Sequence, residues 1–159
     1  MIPRVRTAAD LPDGVRELVI EGREAWPQRD YDRARVLFEQ ALAAAATLND
    51  PFAEISALDF LGNVAFNQCR DNESRRLHET ALALARREGD EQGIATSLGS
   101  LALVDAAEGR LDDAHEKFGE AVASYTRAGM VLEAQRVRET ADALTRRGVA
   151  VESLVNRQP

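Results

Sequence analysis

Several things are scarce in this chain of 159 residues, and each scarcity excludes a class of protein. Cys69 is the only cysteine, so neither an intrachain disulfide nor a cysteine-based zinc site can form, and a reducing cytosol is the expected setting. His78 and His115 are the only histidines; they form no His-Glu-x-x-His motif and cannot build a tetrahedral metal site unaided. Aromatic residues make up 5%, too few for a typical sandwich or barrel. No apolar run approaches the roughly 20 residues that span a bilayer. The opening stretch MIPRVRTAAD has basic residues but no apolar segment after them, unlike a secretory signal, so a cytoplasmic location is expected. Positive charge is short as well: Lys117 is the one lysine, the net charge is −7 and the pI is about 4.9. Such a field repels phosphate backbones and anionic lipid, which argues against nucleic-acid and membrane partners.

What the chain has is alanine and a repeat. Aligned with itself at an offset of forty, it brings Leu18, Leu58 and Leu98 into register, then Gly22, Gly62 and Ala102, and Ala34, Ser74 and Ala114. Phe38, His78 and Phe118 follow, then Ala41, Ala81 and Ala121, and the turn residues Asn49, Gly89 and Gly129. Inside each unit, small and apolar residues recur at helical spacing in two segments around a short polar turn. In the second unit, AEISALDFLGNVAFNQ is helix A, RDN the turn and ESRRLHETALALARRE helix B. Each unit is thus a helical hairpin.

Asp50 and Asp90 are placed to cap the next helix A, with Pro51 at its first position. Asn49, Gly89 and Gly129 stand where the chain must turn left-handed after helix B. The stretch LGNVAF at 61–66 reads as a helix–helix contact: Leu61 packs between the helices, and Gly62 has no β-carbon to hold the partner away. It lacks the ordered glycines of a phosphate loop. Pro27 is expected to end or kink the first helix.

The recurring residues carry a resemblance. Leu58, Leu61, Gly62 and Phe66 in helix A, with Ala34, Phe38 and Ala41 or Ala114, Phe118 and Ala121 in helix B, resemble the tetratricopeptide repeat over residues 15 to about 130. The turns RDY at 29–31 and GRL at 109–111 are similar to that family's turn. The period here is forty rather than about 34, as in the lengthened repeats of kinesin light chains and of C-terminal arrays in large bacterial transcriptional regulators. The resemblance implies an all-α fold, a right-handed superhelical stack of three hairpins (about 15–50, 51–90 and 91–130) plus a C-terminal capping helix at 131–147. Together these make one domain over 11–147, with a flexible N-terminal stretch at 1–10 and a tail at 148–159. The cap is expected to pack through Val131, Ala134, Val137, Ala141 and Leu144. For the tail, with Val149, Val151, Leu154 and Val155, packing against the cap is preferred to docking onto a neighbouring molecule as a homo-oligomer.

Catalytic constellations are sparse. SLGS at 97–100 lies within a helix and is no nucleophile elbow. Asp112 and Asp113 open a helix B, where negative charge suits the dipole, and Glu21 and Glu24 share a face without a histidine or metal site beside them. Cys69 stands in a turn where glycine is usual, and His78 takes the slot of Phe38 and Phe118, as a hydrogen-bonded core histidine rather than a ligand. His115 is expected to be exposed. No enzyme activity, cofactor or metal is expected.

In the family that the chain resembles, the A helices line a groove that holds a segment of a partner protein. Carried over by position, the groove residues are Arg16, Val19, Arg23 and Trp26 in the first unit. The second unit gives Ser56, Asp59, Asn63, Phe66 and Asn67, and the third Thr96, Gly99, Ser100 and Leu103. Arg136, Glu139 and Thr140 of the cap extend the row. The Asn63 amide can donate to and accept from a peptide backbone at once, and Arg16 and Arg23 can receive a carboxylate. Val19 and Asp59 stand where the chaperone-binding version of the family has a lysine, which argues against chaperone tails as ligands. The leading reading is a non-catalytic scaffold or adaptor for a protein or peptide segment. The alternatives are a regulatory sensor for a small molecule or signalling peptide, and an accessory subunit of an enzyme.

Overall fold

The computed structural model describes residues 5–145 together with 150 and 151. A 3₁₀ turn, Ala8–Asp10, precedes seven helices: α1 (Asp13–Ala25), α2 (Tyr31–Leu48), α3 (Pro51–Asn67), α4 (Asp71–Glu88), α5 (Glu91–Ala107), α6 (Leu111–Arg127) and α7 (Val131–Thr145). Among the described residues there is no strand. Each helix packs on its neighbours in the chain, and α3 also touches α5, so the architecture is an all-helical repeat.

The turns show a regularity finer than the repeat. Positive φ occurs at Arg29, Asn49, Cys69, Gly89, Gly109 and Gly129, one residue in every twenty. After each, a backbone N–H reaches back to the last turn of the helix: Asp30 to Ala25 at 3.1 Å, Asp50 to Ala45 at 3.1 Å, Arg70 to Ala65 at 2.9 Å. The series continues with Asp90 to Ala85 at 2.9 Å, Arg110 to Asp105 at 2.8 Å and Met130 to Tyr125 at 2.8 Å. These bonds satisfy carbonyls that a helix end leaves open. Both helices of a hairpin therefore end in the same way. Side-chain caps start three of the helices: Arg33 N–H donates to Asp30 at 3.1 Å, Ala53 N–H to Asp50 at 3.0 Å and Gly93 N–H to Asp90 at 3.2 Å. The RDN turn expected at 70–72 is shifted, because Asp71 and Asn72 already belong to α4 and the reversal runs through Cys69.

Cys69 holds φ at +56° and is exposed, so it bears the cost of a left-handed backbone without packing in return. Cys69→Gly is expected to raise stability by about 0.5–1 kcal/mol, and Gly109→Ala to lower it by about 1 kcal/mol. Urea unfolding of the two variants checks both signs; a destabilised Cys69→Gly protein would refute the account.

Within the hairpins, a β-carbon on Gly22 would lie 2.5 Å from the Phe38 ring, and one on Gly62 2.5 Å from His78 Nε2. Both glycines permit a close helix approach, as the reading of LGNVAF required. Phe38 also stacks on Phe60 with ring centroids 4.9 Å apart, joining the first hairpin to the second.

Two expectations about the ends change. The stretch before α1 is anchored from residue 6 on rather than loose: Thr7 and Asp10 form a reciprocal capping box, and Arg6 pairs with Asp90. Residues 1–4 lie outside the described residues. In α7, Ala134, Ala141 and Leu144 are buried and Val137 packs beside them, but Val131 is 68% exposed. It occupies the first helical position, equivalent to Pro51 and Glu91, which also sit at a helix edge. Val151 is buried with Phe118, Ala141 and Leu144, so this part of the tail packs onto the last helices; Val149, Leu154 and Val155 lie outside the described residues.

Candidate functional site

The A helices α1, α3 and α5 wall a cavity of about 250 Å³, and the stretch from Arg6 to Leu11 lies against it. This stretch is held through its backbone. Arg6 N–H donates to Gln92 Oε1 at 3.0 Å, and Gln92 Nε2 donates to the Arg6 carbonyl at 2.8 Å. One side-chain amide thus mimics a neighbouring strand. The Arg6 side chain is gripped as well: Nη2 lies 2.6 Å from Asp90 Oδ2, and the guanidinium carbon stands 4.3 Å from the centre of the Phe52 ring. Asp90 is 7% exposed here, and its other oxygen caps α5, which orients the carboxylate.

Of the groove residues expected from the sequence, Val19, Arg23, Ser56, Asp59, Asn63 and Thr96 line this cavity together. Trp26 joins Arg23 and Asn63 in an adjoining hollow with Pro27 and Phe60, its ring edge-on to Tyr31. Arg23 is exposed, whereas Asp59 is turned inward. Others lie elsewhere. The Arg16 guanidinium donates to the carbonyls of Ala9 and Leu11 and pairs with Asp13, bracing the 3₁₀ turn. Phe66 is in the core with Val104 and Phe118, and Leu103 packs against that cluster. Asn67 is buried and donates to the Asn63 carbonyl at 2.8 Å. Ser100 is half-buried and lies outside the cavity lining.

Sequence reasoning missed Arg6, Phe52, Asp90 and Gln92. The chemistry assigned to the Asn63 amide, donating and accepting at once on a peptide backbone, is performed by Gln92. The signal lay in the repeat: Phe52, Gln92 and Leu132 recur at forty, on the first turn of successive A helices.

Thr96 Oγ1 lies 3.0 Å from the Tyr125 hydroxyl, and burial pushes the Tyr125 phenol up, against the opposing bond from Thr96. Under the groove floor, Asp59 Oδ1 accepts from Ser97 Oγ at 3.0 Å and lies 3.0 Å from His78 Nδ1. The buried His78 Nε2 has no hydrogen-bond partner among the described residues. Serine and histidine share the carboxylate and do not bond each other, so this trio is not arranged to activate a nucleophile. His78 is the buried, hydrogen-bonded core residue that its slot implied; His115 is exposed, its Nδ1 3.5 Å from Thr145 Oγ1.

At the α5–α6 turn, Asp105 is 1% exposed and meets Arg75 at 2.8 Å, Arg110 at 2.6 Å and Lys117 at 2.6 Å. Burial alone would raise its carboxyl pKa; the bonds from Lys117, Arg110 and Arg75 together outweigh this and hold it below the usual range. Among the described residues, no cluster of three or more histidine, cysteine or acidic side chains could hold a metal, and no helix is long and apolar enough to cross a membrane.

The family model for the tetratricopeptide repeat matches residues 53–127, from the first turn of α3 to the end of α6. The fold is similar to the crystal structure of the TPR domain of Arabidopsis FLU, at 22% identity and a TM-score of 0.51, covering 85% of this chain and 97% of that one. No curated protein matches the sequence. Tetratricopeptide arrays are helical scaffolds, generally non-catalytic, that typically mediate protein interactions. With hairpins in phase at forty residues, the same turn after each of the first six helices and a family match across the second and third units, the chain is similar to tetratricopeptide repeat proteins in its repeat and in its fold.

Proposed function

We propose that the chain is a non-catalytic binding module that holds an extended segment of a partner protein in the groove between α1, α3 and α5. The observation that carries this reading is the Gln92 amide, which already grips a backbone by both of its hydrogen-bonding groups. A contact of this kind accepts any side chain on the segment, so specificity falls to the groove walls. Arg23 and Asn63 border both the cavity and the adjoining hollow, beside Trp26 and Phe60, and supply a cation and an amide next to aromatic surface.

The test is a selection of linear peptides from a displayed library on the immobilised chain, followed by affinity measurement. Selected peptides are expected to lose about tenfold or more in affinity, ~1.4 kcal/mol or above, for the Arg23→Glu, Asn63→Ala variant at unchanged melting temperature. Equal binding to both proteins would place the interaction outside the groove and refute the proposal.

A further inference from the structure

The contacts of Arg6 are more specific than anchoring a stretch of chain requires. Its backbone is fixed by Gln92 at both N–H and carbonyl, its charge is met by Asp90 at 2.6 Å, and its planar guanidinium lies over Phe52. A carboxylate, an aromatic face and a two-way amide together suit a cationic side chain on an extended backbone, and the planar guanidinium stacked on Phe52 favours arginine over lysine. Asp90 is buried with Arg6 in place, so a cation held there is shielded from water and its charge-assisted bond is strong. The neighbouring Thr7 has φ −129° and ψ 175°, the extended geometry that a bound peptide would share.

We propose that Asp90, Gln92 and Phe52 form an arginine-recognition subsite, occupied within the chain by Arg6, and that the partner segment presents an arginine to this subsite in place of Arg6. The inference rests on the groove reading above and adds the chemistry of the ligand and the identity of its competitor. Binding by a partner then requires residues 5–7 to leave. If the internal segment fills the subsite about nine-tenths of the time, apparent affinity for an outside ligand falls about tenfold. The competition is local because the internal arginine is tethered near its site at an effective concentration of the order of millimolar.

The probe is a blocked hexapeptide copying residues 5–10, Val-Arg-Thr-Ala-Ala-Asp, titrated into isotope-labelled chain while the Gln92 side-chain amide signal is followed by NMR. Against the Arg6→Ala protein the peptide is expected to bind about tenfold more tightly than against the parent. A peptide carrying citrulline in place of arginine keeps the shape and loses the charge; its binding is expected to drop at least tenfold. Asp90→Asn, placed in the Arg6→Ala background, retains the helix cap and removes the charge, and it should weaken the peptide to the same degree. Absence of a saturable shift at Gln92 in the Arg6→Ala protein, or equal binding of the citrulline peptide, would make Arg6 an internal clasp only and overturn the proposal. If library peptides still depend on Arg23 and Asn63 in that case, the groove reading stands and the arginine subsite alone fails; if they do not, both fall.

Discussion

Asp59→Val and His78→Phe, made together with Ser97→Ala, are expected to give a protein within about 1.5 kcal/mol of the parent, whereas Asp59→Val or His78→Phe alone costs about 2–4 kcal/mol. The reason is that the repeat fills the same three buried positions in two chemical versions. The first set of positions is Val19, Phe38 and Ala57; forty residues on they are Asp59, His78 and Ser97. Val19, Phe38 and Ala57 are all fully buried. In the second version Asp59 is 6% exposed and its Oδ1 takes contacts from both Ser97 and His78. Removing the carboxylate strands the imidazole and the hydroxyl, and removing the imidazole leaves the carboxylate with one donor fewer. Replacing all three restores an apolar contact that this backbone already accommodates, since Gly62 makes room for the ring as Gly22 does for Phe38. Chemical unfolding of the two singles and the triple decides the matter. Additive costs, with the triple as unstable as the singles summed, would show that the polar trio is not a unit.

The second large effect is expected at Asp105. Its equivalents are Ala25 and Ala65, so the third unit places a carboxylate where the others have a methyl group. Arg75 comes from α4, Arg110 from the turn and Lys117 from α6, and Glu108 meets Arg75 at 2.8 Å and also pairs with Arg110. Asp105→Asn leaves Arg75 with Glu108, leaves Arg110 with Glu108 and Asp113, takes from Lys117 the carboxylate it meets, and is expected to cost about 2–4 kcal/mol at neutral pH. The pH dependence follows from the depressed carboxyl. A group whose folded pKa lies below its unfolded value, here about 3.9, contributes its full stability above that value and loses it as pH falls through the folded pKa. The gap between parent and Asp105→Asn should therefore be constant from neutral pH to about 4 and narrow below it. A gap that widened on acidification would refute the assignment.

Both predictions concern places where one unit departs from the repeat, and in both the departure is matched by partners distant in the chain. Asp59 could be read from the sequence as an acid on helix A. That it meets His78 of α4 and Ser97 of α5, and so sits inward rather than open to a ligand, depends on how three helices stack. Phe66 and Asn67 misled for a related reason: the last turn of α3 is covered by the following hairpin, and positions carried over from a family pattern hold no record of that cover. Arg16 was expected on the inner face of the groove, but its guanidinium is engaged by the 3₁₀ turn, and no periodicity signals that turn.

The sequence by itself determined the hairpins, their order, the close approach at Gly62, and the caps at Asp50 and Asp90. These rest on interactions within a few residues or on a pattern repeated in phase, and both leave a local signature. Only the tertiary structure decided which acids are buried against which bases and that Arg6 enters the groove. The bonds between Arg6 and Gln92 join residues 86 positions apart, made by one short stretch outside the repeat. No periodicity encodes such a contact; it exists because the stacked helices bring an amide, a carboxylate and an aromatic ring to one place.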